Sequence, residues 1–207
     1  MINSPRDWFL VAIFYIVAAN ILIKAGNYND VELTFLNYTS LDFKLAKKTM
    51  INIRQATQQD FSRVLELINE LALFEKEPDA VEISIEDLIR NGTGNNPLFT
   101  CFVGEYQGNI EGMALCYPRF STWKGVTIHL EDLIVTQKMR GVGLGKALYN
   151  EVLKHALKKG ARRVEWVVLD WNTHAIDFYK NTGATVFDEW RVVQMDHGSL
   201  TAYIDKQ

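Results

Sequence analysis

Hydrophobic and polar positions follow two repeat lengths along the chain, and these predict a series of strands and helices from residue 51 onward. Residues 51–55 alternate at the two-residue repeat of a strand, whereas apolar side chains in 61–74 recur at the spacing of one helical face. Thr-x-x-Asp at 57–60 has the spacing of a helix capping box. The predicted elements are strand 51–55, helix 61–74, strands 99–106, 110–117 and 126–135, helix 144–159, strand 163–169, helix 173–181, strand 189–195 and a helix after Gly198.

Residues 1–49 do not follow this pattern. Within them, residues 8–23 contain a single polar side chain, Asn20, and have charged residues on both sides. This stretch of sixteen residues falls just under the roughly 17–25 that a membrane-spanning helix needs. Three interpretations stay open: a start assigned too early, with Met50 as the true initiator, a membrane anchor, or an additional packed segment. We therefore divide the chain into an N-terminal extension, 1–49, and a domain, 50–207.

The composition is that of a globular protein. Of 207 residues, 48% are hydrophobic and 23% are charged, and the net charge of −3 gives no support for nucleic-acid binding, which usually needs a basic surface. The two cysteines, Cys101 and Cys116, are too few for a disulfide framework, so we expect them to be core residues. No metal-binding motif is visible. The expected location is cytoplasmic, with a membrane contact only if residues 8–23 form an anchor.

The chain is organised around residues 130–148, where a predicted strand enters a glycine-rich turn and continues into a helix. Glycine at 141, 143 and 145 frees the backbone so that successive N–H groups can point inward, and the helix adds its own unpaired N–H groups. The stretch therefore predicts an anion cradle, with pyrophosphate as the expected anion. A dinucleotide-binding turn would follow the first strand of a βαβ unit, whereas this turn follows a predicted antiparallel meander. A P-loop would need Ser or Thr after Lys146, where Ala147 stands. Neither of these two phosphate-binding motifs therefore fits the sequence.

Residues 140–145, Arg-Gly-Val-Gly-Leu-Gly, fit in full the Arg-x-x-Gly-x-Gly/Ala signature of the GNAT superfamily of acetyl-CoA-dependent N-acetyltransferases. The chain resembles this superfamily from about residue 50 to its end. Segments around the signature are similar to its diamine acetyltransferase branch, which contains the spermidine/spermine and thialysine acetyltransferases. These segments are Trp123-Lys124-Gly125, Leu130-Glu131-Asp132, Asp170-Trp171-Asn172, Phe178-Tyr179-Lys180, Gly183-Ala184 and Trp190-Arg191.

The resemblance implies an α/β (α+β) GNAT fold, with a mixed, mostly antiparallel sheet of about six to seven strands and helices on both faces. Two parallel strands, those containing 131–135 and 164–169, are expected to splay apart and admit the pantetheine arm of acetyl-CoA. No metal is implied. Members of this branch usually form homodimers, so a homodimer is the expected assembly.

The resemblance also implies which residues bind acetyl-CoA. The backbone of two strand residues would bond the pantetheine arm, the glycine turn and the first helical residues would hold the pyrophosphate, and two residues further along would lie near the thioester. The implied cofactor-binding residues are Leu133, Val135, Arg140, Gly141, Val142, Gly143, Gly145, Lys146, Asn172 and Tyr179.

Acetyl transfer to an amine needs a base for the ammonium proton and an acid for the departing thiolate. The resemblance assigns the acid to Tyr179 and the base, directly or through water, to Glu131. Asp132 would be a secondary acidic contact, because neighbours on a strand point to opposite faces unless a bulge intervenes. Proton relay by His129 or His174 stays open. The implied substrate-binding residues are Glu75, Trp123, Glu131 and Asp132.

An acidic segment, 75–87, carries six carboxylates against one lysine and favours a cationic substrate, although a solvated loop explains it equally well. The predicted reaction is transfer of the acetyl group of acetyl-CoA to a primary amine of a polyamine, diamine or lysine-like amino acid, by direct attack in a ternary complex. Two alternatives stay open: a coenzyme A-binding regulatory module without catalysis, and an N-acetyltransferase acting on a peptide or protein amine.

Overall fold

The computed structural model describes residues 51–207. They divide into two compact units, the first ending at Glu165 and the second spanning Trp166–Gln207. The expected boundary at residue 50 and the apolar residues 8–23 lie outside the described part of the chain. Within residues 51–207, no helix combines the length and the apolar character that crossing a bilayer requires.

The first unit is built on a five-stranded sheet whose strands lie in the order in which they occur along the chain. The strands are β1 (Ile51–Gln55), β2 (Thr100–Tyr106), β3 (Asn109–Ser121), β4 (Gly125–Val135) and β5 (Val164–Glu165). Strands β1 to β4 pair antiparallel, and β4 pairs with β5 in parallel. The predicted antiparallel meander and the parallel pair are confirmed.

A two-residue turn joins β2 to β3. Gln107 has a φ of +53° and Gly108 a φ of +82°, so both residues occupy the left-handed region. A hairpin turn with two such residues matches the right-handed twist of the flanking strands. The turn therefore sets the β2–β3 register, in which Tyr106 lies opposite Asn109.

Helices cover both faces of the sheet, as predicted. In the first unit they are α1 (Phe61–Phe74), α2 (Ile85–Gly92) and α3 (Leu144–Lys158). α1 and α2 pack on the face that carries Val103 of β2. α3 packs on the opposite face, where a Cβ at Gly104 would lie 2.9 Å from Leu144 Cδ1. The buried cluster on the α1 side contains Phe61, Val64, Leu67, Leu88, Cys101, Val103, Met113, Leu115 and Ile134.

The two cysteines are buried and free. Burial raises the pKa of the Cys101 thiol to about 12 and that of the Cys116 thiol to about 11. Thiols in this state are protonated and unreactive at neutral pH. The prediction that they are core residues is confirmed.

Local hydrogen bonds place the start of α1. The Thr57 backbone N–H donates to Asp60 Oδ2 at 2.7 Å, which forms half of the predicted capping box. Arg54 of β1 donates to both oxygens of Asp60, at 2.7 and 2.8 Å, and to Glu105 of β2 at 2.7 Å. The hydrogen bond from Arg54 is the main reason that the pKa of Asp60 lies well below its usual range. This network joins the first helix to two strands.

The second unit contains α4 (Thr173–Asn181) and α5 (His197–Ile204). Both agree with the predicted helices. Two strand predictions need correction: regular pairing in 163–169 covers only Val164–Glu165, and 189–195 forms no strand. An apolar pattern indicates a preference for extended backbone, but a strand also needs a neighbouring ladder, which the pattern does not supply. The described residues therefore contain five strands rather than about six to seven.

Candidate active site

A β-bulge in β4 determines which way its backbone groups point. Leu115 of β3 lies opposite Asp132 and Cys116 lies opposite Leu130, so Glu131 has no opposite residue on β3. In an antiparallel ladder, residues alternate between those whose N–H and C=O face the partner strand and those whose groups face away. An extra residue reverses this alternation. Even-numbered and odd-numbered residues of β4 therefore exchange the strand that their backbone groups face, from one side of the bulge to the other.

Hydrogen bonds on either side of the bulge show the reversal. Before it, the Ile128 N–H donates to Arg163 O at 3.0 Å, so even-numbered residues face the β5 side. After it, the Thr136 N–H donates to Glu111 O on β3 at 2.8 Å, so even-numbered residues face β3. The backbone groups of Leu133 and Val135 therefore face away from β3, which is the orientation that the pantetheine-binding prediction requires.

Pairing with β5 stops before this part of β4. The last parallel pair joins His129 to Glu165, whereas β4 continues to Val135. In the first unit, as far as the structure describes it, no strand pairs with the edge of β4 beyond His129. An extended ligand can add to such an edge as another strand would.

The glycine turn follows β4 directly. A short 3-10 helix, Gln137–Met139, leads to Arg140, and Gly141 and Gly143 then have φ values of +79° and +96°. A Cβ at either glycine would meet nothing within 4 Å, so the backbone angle and not the space requires glycine. Gly143 is the N-cap of α3 and has no side chain with which to cap the helix, so within the described residues the first N–H groups of α3 are available to an anion.

Arg140 contributes positive charge to this turn. Its guanidinium carbon lies 4.8 Å from the centre of the Phe74 ring at the end of α1. A cation over an aromatic face is attracted by the ring quadrupole. The contact keeps the Arg140 charge close to the turn and joins α1 to it.

Glu75, Glu131 and Asp132 form an acidic group around the bulge. Burial raises the pKa of Asp132 to about 6, and the charges of Glu131 and Glu75 add to this effect. Partial burial also raises the pKa of Glu75. Because the charges of Glu131 and Glu75 disfavour ionisation of Asp132, a cation bound beside it would stabilise its charged form.

Two ring side chains lie beside the Glu131 carboxylate. The Tyr117 hydroxyl donates to Glu131 Oε2 at 3.0 Å, and His129 Nε2 lies 3.5 Å from the same oxygen. The two rings lie 5.2 Å apart on opposite strands, in the pair Tyr117 and His129. Burial, followed by the hydrogen bond to Glu131, raises the pKa of Tyr117. The sequence analysis missed Tyr117, because its approach to Glu131 depends on the β3–β4 register.

Three further expected site residues of the first unit, Trp123, Val142 and Lys146, lie outside the acidic group. Trp123 lies in the turn between β3 and β4, where it is 81% exposed and its N–H donates to Ser121 Oγ. It therefore lies at the turn of the hairpin, several residues along β4 from Glu131 and Asp132. Lys146 is exposed in the first turn of α3, and Val142 lies between the two left-handed glycines.

Two expected site residues belong to the second unit. Tyr179 on α4 is buried, with its ring 4.9 Å from Trp166 and 5.3 Å from Phe178. Asn172 is the N-cap of α4 and accepts a hydrogen bond from the Ala175 N–H at 3.3 Å. His174 is exposed on the first turn of α4. Asn172 thus has a capping function whatever else it binds.

Replacing Gly143 by alanine should destabilise the fold by about 1–2 kcal/mol, because an L-residue is strained in the left-handed region. Gly145→Ala is the matched comparison, since Gly145 is helical and a Cβ there would lie 3.6 Å from Val135 Cγ2, an ordinary contact. We expect that variant to be stabilised by roughly 0.5–1 kcal/mol. Urea unfolding of both variants measures the difference, and equal stabilities would contradict this account of the turn.

The chain is similar in sequence to known acetyltransferases. Thialysine N-epsilon-acetyltransferase of Bos taurus is 42% identical over 142 residues, which cover 65% of this chain and 84% of that protein. Spermidine/spermine N(1)-acetyltransferase-like protein 1 of Homo sapiens is 32% identical over 156 residues, 72% of this chain and 21% of that protein.

The fold is also found among solved structures. An aminoglycoside acetyltransferase from an uncultured soil metagenomic sample superposes with a TM-score of 0.59 at 21% identity, covering 72% of this chain and 96% of that chain. At this identity the likeness concerns the fold alone. The family described as Acetyltransferase (GNAT) family matches residues 60–184. The chain belongs to the GNAT family of acetyltransferases.

Proposed function

We propose that this acetyltransferase transfers the acetyl group of acetyl-CoA to a primary amine of a small cationic substrate, by direct attack in a ternary complex. One observation carries the proposal. β4 has the acidic group at its bulge, outward-facing backbone at Leu133 and Val135 beyond it, and the glycine turn at its end. An ammonium group suits the first of these features, and a coenzyme with an amide-containing arm and a pyrophosphate suits the other two.

The substrate class follows from charge and from the relatives. One relative is named as an acetyltransferase of thialysine, which is a lysine analogue, and another is named as similar to a spermidine/spermine acetyltransferase. The acidic group here contains three carboxyl groups, enough for one or two ammonium centres. We propose a lysine-like amino acid, a diamine or a polyamine as the substrate.

We propose that acetyl-CoA is held by the backbone of Leu133 and Val135 and by the turn and first helical residues 140–146. The residues fit this ligand: the strand edge has no described partner, Gly141 and Gly143 leave open space, and Arg140 supplies positive charge. Acetyl-CoA supplies the activated acetyl group. Asn172 and Tyr179 complete the proposed set.

The proton steps are assigned to this chain's own side chains. We propose that Glu131 accepts the ammonium proton, directly or through water, and that Tyr179 donates a proton to the departing thiolate. The hydrogen bond from Tyr117 holds the Glu131 carboxylate in place, and His129 lies beside it. Asp132 attracts the ammonium group when it is ionised. The homodimer and the cytoplasmic location also remain proposals, based on the family resemblance.

Tyr179→Phe tests the acid assignment. We expect kcat to fall roughly a hundredfold or more, while the Kd for acetyl-CoA changes little, because only the proton donor is lost. Release of coenzyme A thiol measures kcat, and calorimetry measures the Kd. Tyr203→Phe on α5 is the matched control, since Tyr203 is 56% exposed. Parent-like turnover by Tyr179→Phe would remove Tyr179 from the mechanism.

Asp132 predicts how amine binding depends on pH. Its pKa of about 6 means that it is ionised above this pH and neutral below it, whereas the substrate ammonium, with a pKa near 10, stays charged throughout. With the protein saturated with coenzyme A, the Kd for the amine should rise as pH falls through about 6. Calorimetric titration with lysine or spermidine measures it.

Two variants separate this effect from other titrations. Asp132→Asn should weaken amine binding at about pH 7.5 and remove the dependence near pH 6. Glu131→Gln should move the dependence to lower pH, because the Glu131 charge helps to raise the pKa of Asp132. A Kd for the parent protein that stays constant between about pH 5 and 8 would refute the role of Asp132.

A further inference from the structure

Glu111 is a buried carboxylate that the proposed reaction does not use. It lies on β3 and is only 7% exposed. Its Oε2 accepts a hydrogen bond from the Thr136 hydroxyl at 2.9 Å, and its Oε1 pairs with Lys138 Nζ at 2.9 Å. Its backbone oxygen accepts from the Thr136 N–H at 2.8 Å. Three contacts from one residue therefore hold the segment that joins β4 to the glycine turn.

The charge of Glu111 is maintained by its surroundings. Burial alone would raise its pKa, but the hydrogen bonds from Lys138 and Thr136, with the charges of Lys138 and Arg63, hold the pKa below its ordinary value. Arg63 lies on α1, where its Nε donates to the Ile110 carbonyl at 3.1 Å. A buried carboxylate is stable only when it is paired in this way, so losing one partner leaves an uncompensated charge.

Lys138 has two conceivable uses. It stands two residues before Arg140 in a region that favours anions, so it resembles a phosphate ligand in sequence. The structure pairs it with Glu111 instead, although the lysine side chain is 70% exposed. Within the pair its charge is already neutralised, so it adds little net charge to the anion site.

We propose that Glu111 is a positioning residue for coenzyme binding: with Lys138 and Thr136 it clamps the 3-10 turn and thereby orients Arg140 and the N–H groups of the glycine turn. Lys138 acts through this clamp and is not itself a phosphate ligand. The inference rests on the proposed function, because it assumes that the turn binds the coenzyme pyrophosphate. A turn held in its binding geometry before the ligand arrives loses less conformational freedom on binding.

The test is a double-mutant cycle on Glu111→Gln and Lys138→Gln, with the Kd for acetyl-CoA measured by calorimetry on the full chain. Each single variant should raise the Kd roughly tenfold, because it leaves one charge without its partner, and kcat at saturation should change less than about threefold. The double variant should bind more tightly than the product of the two single effects predicts. Additive losses would mean that Lys138 contacts the coenzyme directly and would overturn the clamp.

A surface pair provides the matched control. Glu151 and Lys154 also form a Glu–Lys pair, at 3.0 Å, but the lysine is 71% exposed and both residues lie two helical turns or more along α3 from Gly143. Glu151→Gln and Lys154→Gln should leave the Kd for acetyl-CoA unchanged. Amide hydrogen exchange without ligand gives an independent readout, since Glu111→Gln should speed exchange in residues 137–143.

A purely structural role for Glu111 is separable from positioning. If Glu111→Gln lowers the melting temperature but leaves the Kd and amide exchange in the turn unchanged, the proposal is wrong. If Glu111→Gln does not fold, Thr136→Val replaces it, because that change removes only the hydroxyl bond, and a smaller rise in Kd is expected. Failure of the parent protein to bind acetyl-CoA would overturn the proposed function, whereas parent binding with unaffected variants would overturn the clamp alone.

Discussion

The bulge at Glu131 is the constraint on which the rest of the site depends. In a regular strand, the alternation that directs Ile128 towards β5 would direct Leu133 and Val135 towards β3. One extra residue reverses this order and gives the far half of β4 an edge that can accept another extended chain. This extra residue is Glu131, which has no opposite residue on β3 and whose carboxylate accepts the hydrogen bond from Tyr117. The backbone proposed to bind the coenzyme and the candidate base thus have a common structural cause.

β4 and its continuation carry opposite electrostatic preferences at their two ends. Around the bulge, Asp132 is buried and lies near the negative charges of Glu131 and Glu75, and this environment favours the binding of a cation. At the turn, uncapped N–H groups and Arg140 favour an anion. Lys138 and Glu111 neutralise each other between these regions. The arrangement suits two ligands of opposite charge that must meet along one strand.

Residues whose chemistry is local were predictable from the sequence. Thr57 and Asp60 marked the start of α1, because a capping box depends on four consecutive residues. Gly143 was also predictable from its local sequence, since the requirement for glycine there comes from the backbone angle at that one position. These signals placed the starts of α1 and α3 and the glycine turn.

Residues whose role depends on register were not predictable. The bulge arises from how β3 and β4 align, so it cannot be predicted from the sequence of either strand alone. Tyr117 and Glu111 reach their partners across this same ladder. The segment 189–195 shows the converse: its apolar residues favour a strand, but in the second unit Val193 is 90% exposed and no ladder forms there. A pattern describes one strand, whereas a sheet requires two.

The most direct test of the account is to measure coenzyme A thiol release and the acetylated product together, with acetyl-CoA and thialysine, lysine, spermidine or a lysine-bearing peptide. The account predicts amine-dependent thiol release, matched mole for mole by N-acetylated product, with a small cationic amine preferred over the peptide. Tight acetyl-CoA binding without turnover on any of the four amines would identify a regulatory coenzyme-binding module, and preference for the peptide would identify a protein acetyltransferase. Either result would contradict the central claim.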